Sequence, residues 1–244
     1  MNKFVIFTVA IAFACLGAPA QGTFLTLDNF TAGTTDLNLT DAAPPTKSAS
    51  DVQTGLSGVV GGSRGVLIEK LGGLSGSQRN VSGTVDTANQ QFIYISGAGA
   101  TGTLTLTYNA NGAGLNIQLG LIDSILLNFV DGDYGPSRTI PVEITITAAN
   151  NQTGTLTQTL AVAAGDPPVP YALEFKIADF SNLGGLDLAT NSVQAVQMRF
   201  TPPATSTDFT LGTIQVVPEP PTYAMTFAGL AYAGFSFWRR RRQA

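Results

Sequence analysis

The stretch Thr103-Leu104-Thr105-Leu106-Thr107-Tyr108 alternates strictly between threonine and an apolar residue. Successive side chains of a β-strand point to opposite faces of the sheet, so the threonines share one face and the leucines and tyrosine the other. A strand of this kind packs one side against a core and leaves the other side in water. The stretch therefore predicts a strand of an antiparallel sheet.

The same period of two recurs on both sides of this stretch, and no long helical period interrupts it within residues 21–216. Turn residues separate the alternating segments at intervals of about 8–12 residues. The predicted strands cover residues 24–30, 66–71, 81–85, 91–95, 103–108, 115–119, 124–130, 140–147, 153–162, 171–177, 193–201 and 208–216. This pattern predicts an all-β body, an antiparallel β-sandwich of the jelly-roll-like kind.

Three details of the arrangement can be predicted as well. Residues 124–130 are almost continuously apolar, which indicates a central strand. Asp131-Gly132-Asp133 begins a cluster of turn residues, so residues 140–147 are expected to return as a hairpin partner of 124–130. Residues 34–57 are polar and contain Pro44-Pro45, which favours a long loop.

The N-terminus has the three parts of a signal peptide. Met1-Asn2-Lys3 is followed by apolar residues 4–16 and by Ala18-Pro19-Ala20. This order predicts a signal helix over residues 1–20, with signal peptidase cutting between Ala20 and Gln21. Phe13, just upstream of Cys15, does not fit the small-residue pattern of a lipoprotein signal, so we expect Cys15 to be discarded with the leader and not to carry a lipid.

The C-terminus carries a second targeting pattern. Pro218-Glu219-Pro220-Pro221 precedes 17 uncharged residues, 222–238, which as a helix would span about 25 Å, near the short limit for crossing a bilayer. Arg239, Arg240, Arg241 and Arg242 follow and are expected to stay on the cytoplasmic side. Hydropathy predicts a transmembrane helix but leaves open whether it is a permanent anchor or a processed signal.

Val217-Pro218-Glu219-Pro220, with Thr222, an aromatic residue, an apolar span and terminal arginines, resembles the PEP-CTERM sorting signal of Gram-negative bacteria. Pro221 and Tyr223 depart from its usual Ser and Trp. The resemblance implies that residues 217–244 are recognised by an exosortase near Pro218, Glu219 and Pro220. It also implies a transient stay in the inner membrane, followed by a place on the cell surface or in the extracellular matrix.

A looser resemblance covers the body. Gly61-Gly62-Ser63-Arg64, Asp131-Gly132-Asp133 and Asp208-Phe209-Thr210-Leu211 stand in an order similar to bodies found on PEP-CTERM proteins. Those bodies look like jelly-roll sandwiches of the carbohydrate-binding kind. The resemblance implies the fold and identifies no binding residue.

Composition excludes several functions. The chain has no histidine, and its one cysteine lies in the leader, so Ser-His-Asp and Cys-His catalysis and histidine zinc sites are excluded. Residues 21–238, between the leader and the terminal arginines, have seven basic and sixteen acidic residues, a net charge of −9, which argues against nucleic acid as a partner.

Acidic residues supply the candidate sites of the body. Asp131 and Asp133 could bind Ca²⁺ with Asp123 or Glu143 as a third ligand; the alternative is an ordinary Asp-Gly turn, and no cofactor is expected. Glu69, Glu143 and Glu174 are the glutamates on predicted strands that a glycoside hydrolase would use as its carboxylate pair. The alternative for each is an outward side chain on a half-exposed strand.

Tyrosines are the remaining candidates. Tyr94, Tyr108, Tyr134 and Tyr171 could stack on sugars or pack in the core, and the body has no tryptophan. The sequence thus predicts a non-enzymatic, exported structural or interaction protein. Binding of exopolysaccharide, with or without Ca²⁺, is the alternative, and glycoside hydrolysis is a third hypothesis.

Overall fold

A computed structural model describes residues 25–118, 120, 122–133, 139–161, 171–181 and 191–218. No helix in these ranges is long and apolar enough to cross a membrane. Both predicted targeting segments fall largely outside the described residues. These are the signal peptide with its Ala20–Gln21 junction and, at the other terminus, Glu219, Pro220, the segment 222–238 and the four terminal arginines.

The described chain forms fourteen strands in two seven-stranded sheets in which every pairing is antiparallel. In chain order the first seven are β1 (Leu25–Asp28), β2 (Asp36–Leu39), β3 (Lys47–Thr54), β4 (Ser63–Gly72), β5 (Val81–Asp86), β6 (Gln91–Ser96) and β7 (Thr101–Tyr108). The others are β8 (Ile117–Gln118), β9 (Ile122–Asp133), β10 (Thr139–Ala148), β11 (Thr153–Ala161), β12 (Tyr171–Lys176), β13 (Ser192–Phe200) and β14 (Asp208–Pro218).

Sheet 1 has the order β12-β9-β14-β6-β5-β2, with β1 on β14, and sheet 2 has the order β11-β10-β13-β7-β4-β3, with β8 on β13. Apolar side chains from the inner faces of both sheets form one buried cluster. The apolar face of the opening stretch is confirmed, because Leu104, Leu106 and Tyr108 are fully buried in this cluster. Its other face is less exposed than predicted, because Thr103 and Thr105 are buried as well. The antiparallel β-sandwich is therefore confirmed.

Three predicted details are wrong. Residues 34–57 are not one loop, because they contain β2 and β3. Asp131 and Asp133 belong to the end of β9 rather than to a turn, and they lie opposite Thr210 and Asp208 of β14. The predicted hairpin does not form, because β9 lies in sheet 1 and β10 in sheet 2.

Sheet 1 contains both terminal strands of the described chain, β1 and β14. β9 pairs on both sides, with β12 and β14, as expected of a central strand. β14 continues to Pro218, two residues beyond the predicted end of the body at residue 216. Leu25 of β1 lies opposite Val216 of β14, so both ends of the described chain leave the sandwich at the same pole.

Candidate functional site

A buried ionic cluster lies between the two sheets. Asp28 at the end of β1 and Arg64 on the inner face of β4 are both fully buried, and Arg64 Nη1 donates to Asp28 Oδ2 at 2.9 Å. Tyr108 Oη donates to the same oxygen at 3.0 Å, and the Phe30 amide donates to Oδ1 at 2.8 Å. A buried charge is tolerated only when it is paired and hydrogen-bonded, and these contacts meet that condition.

The remaining Arg64 contacts tie further segments to the cluster. Its Nη2 donates to the Ala32 carbonyl and to Gln53 Oε1, both at 2.9 Å, and its guanidinium carbon lies 5.3 Å from the centre of the Phe30 ring. Burial raises the pKa of the Asp28 carboxyl, while Arg64 and the hydrogen-bond donors oppose that shift. Burial, with the Asp28 charge, raises the pKa of Tyr108 well above its ordinary value, so its hydroxyl stays a donor.

A groove of about 310 Å³ lies on the outer face of sheet 2, across β3, β4 and β7. The inner faces of these three strands carry Gln53, Arg64 and Tyr108 of the buried cluster. It is lined by residues of β3, β4 and β7 and of the loop after β7: Ser50, Asp51, Val52, Gly65, Val66, Leu67, Thr107, Asn109 and Asn111. These residues alternate with members of the buried cluster, since Gln53, Arg64 and Tyr108 each adjoin one of them in sequence. The cluster therefore stabilises the three strands at their inner face, and the groove lies on their outer face.

Gly65 forms part of the floor. It lies opposite Val52 on one side and Thr107 on the other. A Cβ at Gly65 would lie 3.4 Å from Thr107 Cβ, and its φ is not in the left-handed region. A side chain there would thus occupy the groove without straining the backbone.

The loop carrying Asn109 and Asn111 is fixed by its own hydrogen bonds. The amides of Gly112 and Gly114 both donate to the Asn109 carbonyl at 3.0 Å, and the Asn111 amide donates to Ser63 Oγ at 2.7 Å. The loop also packs on the turn before β4: Gly61 has φ +72°, and a Cβ there would lie 2.6 Å from Ala110 Cβ. Gly61 in the turn before β4, with Ser63 and Arg64 at the start of β4, thus supports both the cluster and the groove.

An ion pair borders the groove. Arg199 of β13 and Glu69 of β4 meet across the intervening β7 with Arg199 Nη2 3.6 Å from Glu69 Oε2, and Thr103 Oγ1 donates to the same glutamate oxygen at 3.0 Å. Thr103 and Thr105 lie beneath this pair and are buried although they face outward. The groove therefore offers hydroxyls, amides and aliphatic surface. Its lining also includes Asp51, whose carboxylate accepts from Thr35 Oγ1 at 3.0 Å, and the Arg199–Glu69 pair stands at its border.

The predicted glutamates are not gathered into one site. Glu69 and Glu143 share the outer face of sheet 2, but their strands are three positions apart, about 14 Å across the sheet. Glu174 lies in sheet 1, where Ser124 Oγ donates to it at 2.9 Å. The three glutamates therefore lie on three separate strands, and Glu174 lies in the other sheet from Glu69 and Glu143.

The predicted metal ligands do not converge either. Asp131 and Asp133 lie in sheet 1, whereas Glu143 lies in sheet 2 and Asp123 lies at the opposite end of β9. The residues that the structure describes hold no group of three or more acidic, cysteine or histidine side chains placed to bind a metal. The expectation of a third ligand from Asp123 or Glu143 is therefore wrong.

The tyrosines divide between the core and other positions. Tyr94 and Tyr108 are fully buried, so neither can stack on a sugar, and their alternative role in the core is confirmed. Tyr171 is partly buried against the core, and Tyr134 lies outside the described residues.

The groove residues were missed because Ser50 and Val52 fell in the predicted loop. Asn109-Ala110-Asn111-Gly112 directly after a strand was the available signal.

Comparison with known proteins gives weak structural similarities. No protein family and no curated protein matches the chain. The family 11 carbohydrate-binding module of cellulosomal cellulase Lic26A-Cel5E of Clostridium thermocellum is 10% identical over 80% of this chain and 94% of its own, with a TM-score of 0.35.

Two further solved structures give similar values. The K1 cleaved adhesin domain of Lys-gingipain from Porphyromonas gingivalis W83 is 10% identical over 75% of this chain and 97% of its own, with a TM-score of 0.33. An exo-beta-agarase is 10% identical over 81% of this chain and 26% of its own, with a TM-score of 0.38.

Proposed function

We propose that this chain is an exported, non-enzymatic protein whose β-sandwich binds carbohydrate in the groove on the outer face of sheet 2. The observation that carries the proposal is the chemistry of the groove. Ser50 and Thr107 bring hydroxyls, and Asn109 and Asn111 bring amides that both donate and accept. Leu67 adds aliphatic surface for the apolar side of a sugar ring. A small number of placed polar groups beside apolar surface is typical of a small-molecule site.

The groove is also preformed. Its floor strands are tied from behind by the Asp28–Arg64–Tyr108 contacts, and its loop is fixed by the Asn109 and Ser63 hydrogen bonds. Rigid walls lower the entropic cost of ordering side chains around a ligand. A binding role fits better than a hydrolytic one, since no carboxylate pair spans the groove.

Binding can be tested with the full-length protein in a non-glycosidic detergent, by calorimetry against a panel of matrix polysaccharides. We expect binding that Gly65→Val weakens at least tenfold, because the new side chain fills the floor. Thr107→Val should weaken it several-fold, while the matched Thr84→Val on the outer face of sheet 1 should not. Flat traces throughout, or equal losses in Thr107→Val and Thr84→Val, would contradict the proposal.

Export and sorting are the second part of the proposal. They are supported by the leader 1–20 and by the Pro218-Glu219-Pro220 segment with its apolar span and arginines. Exosortase and signal peptidase are the implied processing enzymes, and the cell surface or extracellular matrix is the destination. The intact mass of the protein recovered outside the cells should match a chain that begins at Gln21 and ends near Pro218. A mass that still includes Trp238 and the arginines would exclude processing.

A further inference from the structure

The groove is short because the Arg199–Glu69 pair closes one of its ends. Arg199 lies opposite Thr105 of β7, and Thr105 lies opposite Leu67 of β4, the last groove residue on that strand. Glu69 is the next outward residue of β4 and reaches back to Arg199 across β7. The two side chains therefore cross the sheet one step beyond the groove.

The burial of β7 beneath the pair supports its role as a cover. Thr103 is fully buried and Thr105 is 7% exposed, although both point away from the core. Thr107, the next outward residue of the same strand, lines the open groove. The exposed path along the outer face of β7 thus stops at the ion pair. Thr103 Oγ1 holds Glu69 in this position through its 3.0 Å hydrogen bond.

The opposite end is bounded by the loop that follows β7. Asn109 and Asn111 stand there, and the hydrogen bonds of this loop hold it against Ser63 and the Gly61 turn. Across the strands the groove extends over β3, β4 and β7, about 10 Å at the usual strand spacing. Its volume of about 310 Å³ lies at the lower limit of about 300–1,000 Å³ for pockets that hold one small molecule.

We infer that the groove recognises the terminal one or two sugar units of a glycan, or a short branch, rather than the interior of a long chain. The inference rests on the proposed carbohydrate binding and adds the part of the glycan that enters. A chain interior would have to continue past the Arg199–Glu69 cover or through the asparagine loop. A terminal unit can enter from the side of β3, the edge strand, where Val52 is 65% exposed.

The test uses the full-length protein and glucose- and mannose-based oligosaccharides of one to six units. For an oligosaccharide series that binds, we expect the Kd to fall from the monosaccharide to the disaccharide and then to change by less than about twofold up to the hexasaccharide. A Kd that falls steadily to the hexasaccharide would overturn the inference and leave carbohydrate binding intact. Failure of every oligosaccharide and every polysaccharide of the panel would overturn both.

A variant that removes the cover gives an independent readout. Arg199→Ser should uncover Thr103 and Thr105, so we expect the hexasaccharide to gain at least threefold in affinity over the disaccharide. Arg79→Ser removes the same side chain from an exposed loop and should keep the wild-type ratio of the two affinities. Circular dichroism melting verifies that both variants fold. An unchanged ratio in folded Arg199→Ser would overturn the assignment of Arg199 as the closing wall.

Discussion

The core of the sandwich is held together in different ways towards the two ends of β14. Towards its start, Phe209 stacks on Tyr94 with ring centres 4.9 Å apart and contacts Phe200 at 5.1 Å and Phe129 at 5.8 Å. Towards its end, Asp28 lies opposite Ile214 and binds Arg64 and Tyr108. Aromatic burial is largely non-directional, whereas the ionic cluster depends on each donor and acceptor in place. One end of this core should therefore tolerate substitution better than the other.

The largest expected effect is at the ionic end. Arg64→Met should lower the free energy of unfolding by about 3–5 kcal/mol, because the Asp28 carboxylate would remain buried without its cation. The double variant Asp28→Leu/Arg64→Met should recover most of this loss, since it leaves no unpaired charge. Urea denaturation followed by circular dichroism measures both. A single variant as stable as the wild type would remove the distinction between the two ends.

A matched pair of tyrosines tests the same comparison more finely. Tyr108→Phe deletes a hydrogen bond to a buried carboxylate and should cost about 1.5–3 kcal/mol. Tyr94→Phe deletes a hydroxyl that has no hydrogen-bond partner among the described residues, so the free energy of unfolding should change by less than about 0.5 kcal/mol. If both variants lost the same free energy of unfolding, the two hydroxyls would have equivalent surroundings and the distinction between the two ends would fail.

The aromatic end should accept a change of shape. Phe209→Leu keeps an apolar side chain of similar volume, so we expect a loss of about 1.5 kcal/mol or less. The melting transition should stay cooperative. A loss as large as that of Arg64→Met would mean that the ring geometry, and not burial, stabilises this end.

The smallest effect concerns a charge at the border of the aromatic end. Desolvation, with repulsion from Asp133, raises the pKa of Asp208 above its ordinary value of 3.8, although the Ser96 amide opposes the shift. The folded state therefore holds this proton more tightly than the unfolded state, and stability falls as pH rises from the ordinary pKa through the raised one. Asp208→Asn should lose this part of the pH dependence and melt slightly higher at neutral pH. If the melting temperatures of the two proteins changed with pH by the same amount between acid and neutral pH, the prediction would be contradicted.

Strands with regular alternation could be predicted because the pattern that identifies them is local in the sequence. Alternation alone assigns the residues of Thr103-Leu104-Thr105-Leu106-Thr107-Tyr108 to the two faces of a strand. β3 was missed for a physical reason: its inward positions include Asp51, which accepts from Thr35 Oγ1, and Gln53, which accepts from Arg64. A strand whose inner face serves a buried ionic cluster lacks the apolar alternation that identifies strands.

Pairing between distant segments explains the other failures. β9 and β10 are neighbours in sequence, yet they lie in different sheets, and a turn-rich connection does not distinguish a hairpin from a crossing between sheets. The groove combines Ser50, Gly65, Thr107 and Asn111, which only the strand order brings together. The sequence therefore predicts the sandwich and its two faces, while the position of the site depends on the register.

The pairing of Leu25 with Val216 has a mechanical consequence. β14 is bonded to β9 along most of its length, to β6 at its start and to β1 at its end. A pull applied at Pro218 along the strand would load these backbone hydrogen bonds together in shear instead of opening them one after another. The last strand of the body is thus built to carry tension from whatever is joined to its end.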